Sequence, residues 1–119
     1  MEKPQYDFER LKVYQKALDF VEQVFTLTEQ FPANIQYSLG DQFRRAALST
    51  CNNIAEGSRK RGQAKKQFYG YALDSVRECV PMIELSVRRK VISKIDGDKL
   101  GEDCFHLSNM LYRLILSVV

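Results

Sequence analysis

Apolar residues recur along the first part of the chain at alternating steps of three and four positions. Between residues 11 and 31 they form two parallel stripes, which are Leu11, Tyr14, Leu18, Val21, Phe25 and Thr28, and Val13, Ala17, Phe20, Val24, Leu27 and Phe31. At about 100° per residue the two stripes merge into one wide apolar face of an α-helix. Such a face has more than one neighbour to bury against, within its own bundle or in another subunit.

The same helical period recurs three more times along the chain. Phe31-Pro32 ends the first helix, because a proline disfavours the helical conformation at the residue before it. The pattern predicts four helices, over residues 8–31, 38–56, 64–91 and 96–119. Ser38 is the expected cap of the second helix, and Asp96 or Asp98 that of the fourth.

Two residues are expected to shape the helices themselves. Gly57 is a natural end for the second helix, because glycine readily adopts the left-handed conformation that closes helices. Pro81 lies inside the third helix and removes the hydrogen bond that its amide would have made to the carbonyl of Arg77, so we expect a kink there. The sequence therefore predicts an all-α fold with one domain over residues 1–119, an antiparallel up-down-up-down four-helix bundle.

Composition and the two ends of the chain narrow the class of protein. A length of 119 residues suffices for one domain with its own core. The opening MEKPQYDFERLK has no apolar centre, so we expect neither a signal peptide nor a membrane anchor. The closing LYRLILSVV is far shorter than the roughly 20 apolar residues that cross a bilayer. Cys51, Cys79 and Cys104 form no Cys-x-x-Cys pair, which favours reduced, partly buried thiols in the cytoplasm.

Residues suited to catalysis or metal binding are few. Asp103 or Glu102 could form a ligand pair with His106 on one helical turn, but bundle metal sites combine such pairs from several helices, and the chain has one histidine. The cysteines lie on or beside apolar stripes, where a thiol is usually an inert small hydrophobic group. Glycine-rich phosphate-binding motifs are absent from the sequence. We therefore expect a non-catalytic protein without a metal or cofactor.

Five cations lie within eight positions between the second and third predicted helices. This group, which we call the basic turn, comprises Arg59, Lys60, Arg61, Lys65 and Lys66. At one end of a bundle these side chains could hold several phosphates of a nucleic acid in a salt-sensitive, largely sequence-independent way. Tyr69 and Tyr71 are close enough in sequence to offer ring faces for stacking. The alternative is a charged loop that keeps the bundle end soluble, since the net charge of +3 is modest.

A second basic group lies near the opposite end of the third predicted helix. Its members are Arg88, Arg89, Lys90 and Lys94. Cations near the carboxyl end of a helix interact favourably with the helix dipole. This interaction explains the second basic group without a binding function.

The densest pattern in the chain is Arg-Arg-Ala-Ala at 44–47, Ser49, and Asn-Ile-Ala-Glu-Gly at 53–57. Further positions on either side belong to it: Phe8-Glu9, Leu11, Val13, Tyr14-Gln15, Ala17, Phe31-Pro32, Tyr37, Leu39, Gln42, Phe68, Ala72, Ser75 and Glu78. These residues and their order cover about the first two-thirds of the chain. There the sequence resembles the bacterial four-helix-bundle proteins first found as reading frames in 23S ribosomal RNA intervening sequences. The departures are Cys51 in place of a frequent proline, Tyr14 in place of a common tryptophan, and Pro81.

The resemblance implies an antiparallel four-helix bundle that assembles into a ring, a homopentamer. A more distant, similar group of bundle proteins serves as an accessory to the reverse transcriptases of diversity-generating retroelements and binds RNA. Structured RNA or an RNA–protein assembly is therefore the implied partner beside the chain itself, with no membrane involved. The competing hypothesis is a structural or protein-interaction oligomer without a nucleic-acid role.

The eight motif residues are expected to serve mainly the architecture. They are Arg44, Arg45, Ala46, Ala47, Ser49, Asn53, Glu56 and Gly57. The alanines allow helices to approach closely, and the polar residues are expected to pair within or between bundles. We expect in particular an Arg45–Glu56 contact across a subunit boundary, which would fix register more than it stabilises. The alternative is that Arg44 and Arg45 join the basic turn in holding phosphate.

Overall fold

The computed structural model describes residues 6–119, and these form four long helices and no strand. The helices are α1 (Lys12–Thr28), α2 (Asp41–Ser58), α3 (Gly62–Arg88) and α4 (Lys94–Ser117). A 3₁₀ turn, Asp7–Arg10, precedes α1, and a helical turn Ala33–Ile35 followed by a π-helical turn Gln36–Gly40 leads into α2. None of the helices in this part of the chain is long and apolar enough to cross a membrane. The predicted all-α fold is confirmed.

All four helices contribute side chains to one hydrophobic core. Its fully buried large side chains include Phe20, Val24, Phe43, Ile54, Val76, Leu100, Leu107 and Leu111. Burial of each large apolar side chain stabilises the fold by about 1.5–3 kcal/mol relative to exposure. The arrangement is consistent with a four-helix bundle. The up-down-up-down order of directions and the kink at Pro81 stay predictions; α3 continues as one helix through this residue.

The predicted helix ends are wrong by several residues where the loops begin. The first helix starts at Lys12 rather than at residue 8, because Leu11 is extended and separates it from the 3₁₀ turn. Ser38 does not cap α2, since it lies inside the π-helical turn and its hydroxyl donates to the carbonyl of Ile35 at 3.3 Å.

The cap of α4 also differs from the prediction. Ser93 has an extended backbone, and its side-chain oxygen accepts a hydrogen bond from the amide of Asp96 at 3.0 Å. This serine satisfies one of the amides that the helix leaves open at its first turn. Ser93 therefore replaces both Asp96 and Asp98 as the cap.

Gly57 has a different role from the predicted one. It is buried inside α2, whose last residue is Ser58, and the glycine with a positive φ in this turn is Gly62 at +56°. A Cβ atom on Gly57 would lie only 2.7 and 2.8 Å from two ring carbons of Tyr69. The missing side chain therefore lets the tyrosine of α3 pack directly against the backbone of α2.

One apolar surface extends from the shared core to the outside of α1 and α2. Leu18 of α1 and Leu48 of α2 are 45% and 42% exposed, and they line a cavity of about 460 Å³ with Val21 and Phe25. We call this surface the α1–α2 groove. It contains part of the first apolar stripe of α1, for which the sequence predicts a further neighbour.

Candidate nucleic-acid interface

The basic turn lies where α2 ends and α3 begins. Arg59 follows the last residue of α2, and Arg61 precedes α3 in an extended conformation. These two side chains and that of Lys60 are exposed, whereas Lys65 and Lys66, on the first turns of α3, are half-buried. The short connection therefore brings the five predicted cations into one region of the surface.

Lys65 differs from its neighbours because it makes specific contacts within the chain. Its Nζ donates a hydrogen bond to the carbonyl oxygen of Ser58 at 3.2 Å and lies 5.4 Å from the ring centre of Tyr69. A cation at this position complements the negative end of the α2 dipole and satisfies one of its last carbonyls. Lys65 therefore joins the start of α3 to the end of α2.

The other cations of the basic turn are held more loosely. Arg59 lies 3.9 Å from the carboxylate of Glu56, an exposed pair of the kind that contributes little to stability. Lys60 Nζ lies 5.7 Å from the ring centre of Phe68. Within residues 6–119, neither Arg61 nor Lys66 has a carboxylate within 4.0 Å. These side chains are the ones available to an anion.

The expectation that Tyr69 stacks on a base is wrong. Its side chain is 2% exposed because the ring is buried against Gly57, and burial raises the pKa of its hydroxyl. Tyr71 remains partly exposed, and its ring lies edge-on to Phe68 with centres 5.6 Å apart. Of the two predicted tyrosines, only Tyr71 retains an accessible ring.

Two aromatic residues that are distant from the basic turn in sequence lie beside it in the fold. The rings of Tyr6 and Phe8 are stacked, with centres 5.7 Å apart and planes 12° apart, and Tyr6 is 68% exposed. They line a cavity of about 450 Å³, which we call the aromatic pocket, together with Asn52, Ala55, Glu56 and Arg59. Assigning residue 8 to the first helix concealed this pair, because the break at Leu11 places the 3₁₀ turn beside α2.

Arg44 closes the connection between α1 and α2. Its two terminal nitrogens donate to the side-chain and backbone oxygens of Gln36 at 2.6 and 3.0 Å. The amide nitrogen of Gln36 donates in turn to the carbonyls of Thr28 and Phe31 at 3.0 and 3.1 Å. Arg44 lies about 22 Å from Arg59 along α2 at 1.5 Å per residue, too far for the two side chains to bind the same phosphate. A phosphate contact of Arg44 and Arg45 themselves stays a prediction.

Ser49 of the motif makes a polar contact between α2 and α3, and Asn53 supports it from within α2. The hydroxyl oxygens of Ser49 and Ser75 lie 2.9 Å apart, and Asn53 donates to the carbonyl of Ser49 at 2.9 Å. Ala46 and Ala47 are buried in the core beside this contact. The motif thus supplies both small and polar groups to helix packing.

The predicted contact between Arg45 and Glu56 concerns two subunits, so it stays a prediction. Within one chain, Arg45 lies 3.3 Å from Asp41 and Glu56 lies 3.9 Å from Arg59. Both pairs are exposed, which leaves the side chains able to exchange partners.

The three cysteines are buried, and burial raises the pKa of each thiol. The pKa of Cys51 rises to about 11 and that of Cys104 to about 12, while that of Cys79 rises further. A thiol with such a pKa is a weak nucleophile at neutral pH. Across residues 6–119, no three His, Cys, Asp or Glu side chains are placed to hold a metal ion.

The raised pKa values of these thiols predict that the protein loses stability in alkaline solution. The ordinary pKa of a cysteine thiol is 9.0, whereas in the folded chain the pKa of Cys51 is about 11 and that of Cys104 about 12. Because the folded state favours the protonated thiols, their contribution to the free energy of unfolding is complete below pH 9 and is lost as the pH rises towards 11 and 12. We expect the free energy of unfolding, measured in urea, to fall between pH 9 and 11, and to fall less in Cys51→Ala. A constant value over this range would contradict the expectation.

Comparison with known proteins agrees with the fold. The chain matches the family described as 23S rRNA-intervening sequence protein over residues 9–113. The fold is similar to that of a protein of unknown function from the S23 ribosomal protein family of Bacteroides thetaiotaomicron VPI-5482, whose crystal structure was determined at 1.70 Å resolution. The two structures superpose with a TM-score of 0.78 and share 23% sequence identity, and the match covers 87% of this chain and 97% of that chain. No curated protein shows significant similarity to the chain. The resemblance seen in the sequence motif is confirmed, and the chain belongs to the 23S rRNA-intervening sequence protein family.

Proposed function

We propose that the protein is a non-catalytic homo-oligomer, a pentameric ring, that binds structured RNA or an RNA–protein assembly through its basic turn. The observation that carries this proposal is the exposure of Arg59, Lys60 and Arg61 on one short connection, with Lys66 close by on α3. Side chains of this type bind phosphate oxygens without reading base sequence. The family's name refers to the 23S rRNA intervening sequence, which is a genomic position and not a binding partner.

The oligomer is supported by the α1–α2 groove. Leu18 and Leu48 remain substantially exposed there, although both belong to helices with a well-buried opposite side. Covering such a groove with another copy of the chain removes apolar surface from water, which is favourable. A ring also repeats the basic turn in every subunit, so that weak phosphate contacts act together on one RNA.

The same groove favours the competing function, a structural or protein-interaction oligomer that binds no nucleic acid. In that case the basic turn serves solubility, and RNA is retained only through weak attraction that disappears near physiological salt. The two functions therefore differ in the strength of RNA binding at moderate salt, since both require the oligomer.

The proposal is tested by titrating a fluorescently labelled structured bacterial RNA with the protein and measuring fluorescence anisotropy. The titration is repeated at salt concentrations between about 50 and 300 mM, a range in which phosphate contacts weaken markedly. We expect the logarithm of the affinity to fall linearly with the logarithm of the salt concentration. Three phosphate contacts on a single strand give a slope of about −2 per subunit. If the protein does not bind the RNA at the physiological ionic strength of about 150 mM, the result favours the purely structural oligomer.

A further inference from the structure

The aromatic pocket contains chemical groups that the basic turn alone does not offer. Tyr6 presents an exposed ring that is already stacked on Phe8, and Phe8 is held edge-on against Tyr14 with centres 5.0 Å apart. The segment is fixed by hydrogen bonds from the amides of Glu9 and Leu11 to the carbonyls of Tyr6 and Phe8, both at 3.1 Å. The ring of Tyr6 is therefore a supported flat surface.

Polar groups complete the pocket on the side of α2. Asn52 is exposed and carries an amide that can both donate and accept hydrogen bonds, as the edges of nucleobases require. Arg59 brings a planar guanidinium that can contact a phosphate or lie over an aromatic ring. Because Arg59 also belongs to the basic turn, a ligand in the aromatic pocket lies next to the proposed phosphate-binding surface.

We propose that the aromatic pocket holds an unpaired nucleobase of an RNA strand whose phosphates lie on the basic turn. This inference rests on the proposed function and specifies its ligand. A flat ring surface, an amide and an adjacent cation together match a base with its attached phosphate. A base inside a duplex is stacked on both faces and cannot lie on Tyr6, so single-stranded or looped RNA is the preferred partner.

The test compares two probes that carry equal numbers of phosphates. One is a single-stranded adenosine oligonucleotide of about twelve residues, a length on the order of the 4–16 nucleotides bound by single-strand modules. The other is an abasic strand of the same length. We expect the wild-type protein to bind the adenosine strand about 5- to 150-fold more tightly, the range that stacking of one base provides.

Variants of Tyr6 assign this preference to the pocket. Tyr6→Ala is expected to bind the adenosine strand only as tightly as the abasic strand, with its affinity for the abasic strand unchanged. Tyr6→Phe keeps the ring and is expected to retain the preference. Tyr37→Ala, which removes an exposed tyrosine between α1 and α2, is the matched control and should behave as wild type.

Each alternative result has a distinct meaning. Equal, salt-sensitive binding of both probes by the wild type would overturn the base pocket and leave the proposed function standing. A preference that survives in Tyr6→Ala would also overturn it, because the base would then lie elsewhere. If neither probe binds although the structured RNA does, the base pocket is wrong and the proposed function stands; if the structured RNA does not bind either, both proposals fail. If adenosine monophosphate competes as strongly as the strand, the pocket serves a free nucleotide, and the assignment to RNA is wrong.

Discussion

Replacing Arg59, Arg61 and Lys66 together by glutamate is expected to weaken RNA binding by about 100-fold or more at moderate salt, since each reversed charge replaces phosphate attraction by repulsion. The oligomer should keep its mass, because these residues lie on the turn and first helical turn rather than in the α1–α2 groove. The salt dependence of any remaining binding should decrease by about two units of slope for each subunit that contacts the RNA. Anisotropy with the same structured RNA measures both quantities.

The choice of these three cations follows from their contacts. Lys65 is left unchanged because its hydrogen bond to Ser58 and its position over Tyr69 stabilise the turn. The matched control reverses Arg88, Arg89 and Lys90, which changes the net charge equally near the far end of α3, about 40 Å away at 1.5 Å per residue. If the control loses as much affinity as the test variant, the basic turn is not the binding surface and overall charge explains the effect.

Gly57→Ala is expected to lower the free energy of unfolding by about 2 kcal/mol. The new methyl group would lie within 2.8 Å of the ring of Tyr69, which is buried and cannot move outward without opening the α2–α3 contact. Overpacking of this kind costs about 1–3 kcal/mol, and the better helix propensity of alanine offsets up to about 1 kcal/mol of it. Chemical denaturation of the purified variant measures the difference.

Gly70→Ala is the matched control for this change. Gly70 also lies inside a helix, but no atom is within 4 Å of the position that its Cβ would take. We expect this variant to be more stable than wild type by about 0.5–1 kcal/mol, the ordinary advantage of alanine over glycine in a helix. Equal stabilisation by both substitutions would show that Gly57 and Tyr69 are not in close contact.

The helices and the buried side of each could be predicted from the sequence because helical periodicity is a local property. The core stripe of α1, with Ala17, Phe20 and Val24, is buried as the spacing of three and four predicts. The ends of the helices were harder to predict. Ser93 and Ser38 are both plausible caps in sequence, and only the backbone conformation around them decides which one accepts a helix amide.

The candidate site was predicted less well because it depends on contacts between distant parts of the chain. The cluster of cations is visible in the sequence, but nothing local shows that Lys65 reaches Ser58 or that Tyr69 is buried against Gly57. The proximity of Tyr6 to Arg59 depends on a 3₁₀ turn that folds beside α2. A turn of this kind has no hydrophobic period, so periodicity extended the helix through it.

The central claim, an oligomer that binds RNA, is tested most directly by light scattering coupled to size-exclusion chromatography, with and without structured bacterial RNA at low and moderate salt. We expect one discrete species with the mass of a pentamer that retains RNA at moderate salt and releases it as the salt concentration rises. A monomer would contradict the assembly. A discrete ring that elutes free of RNA under all conditions would contradict the RNA-binding function and leave a protein-interaction scaffold.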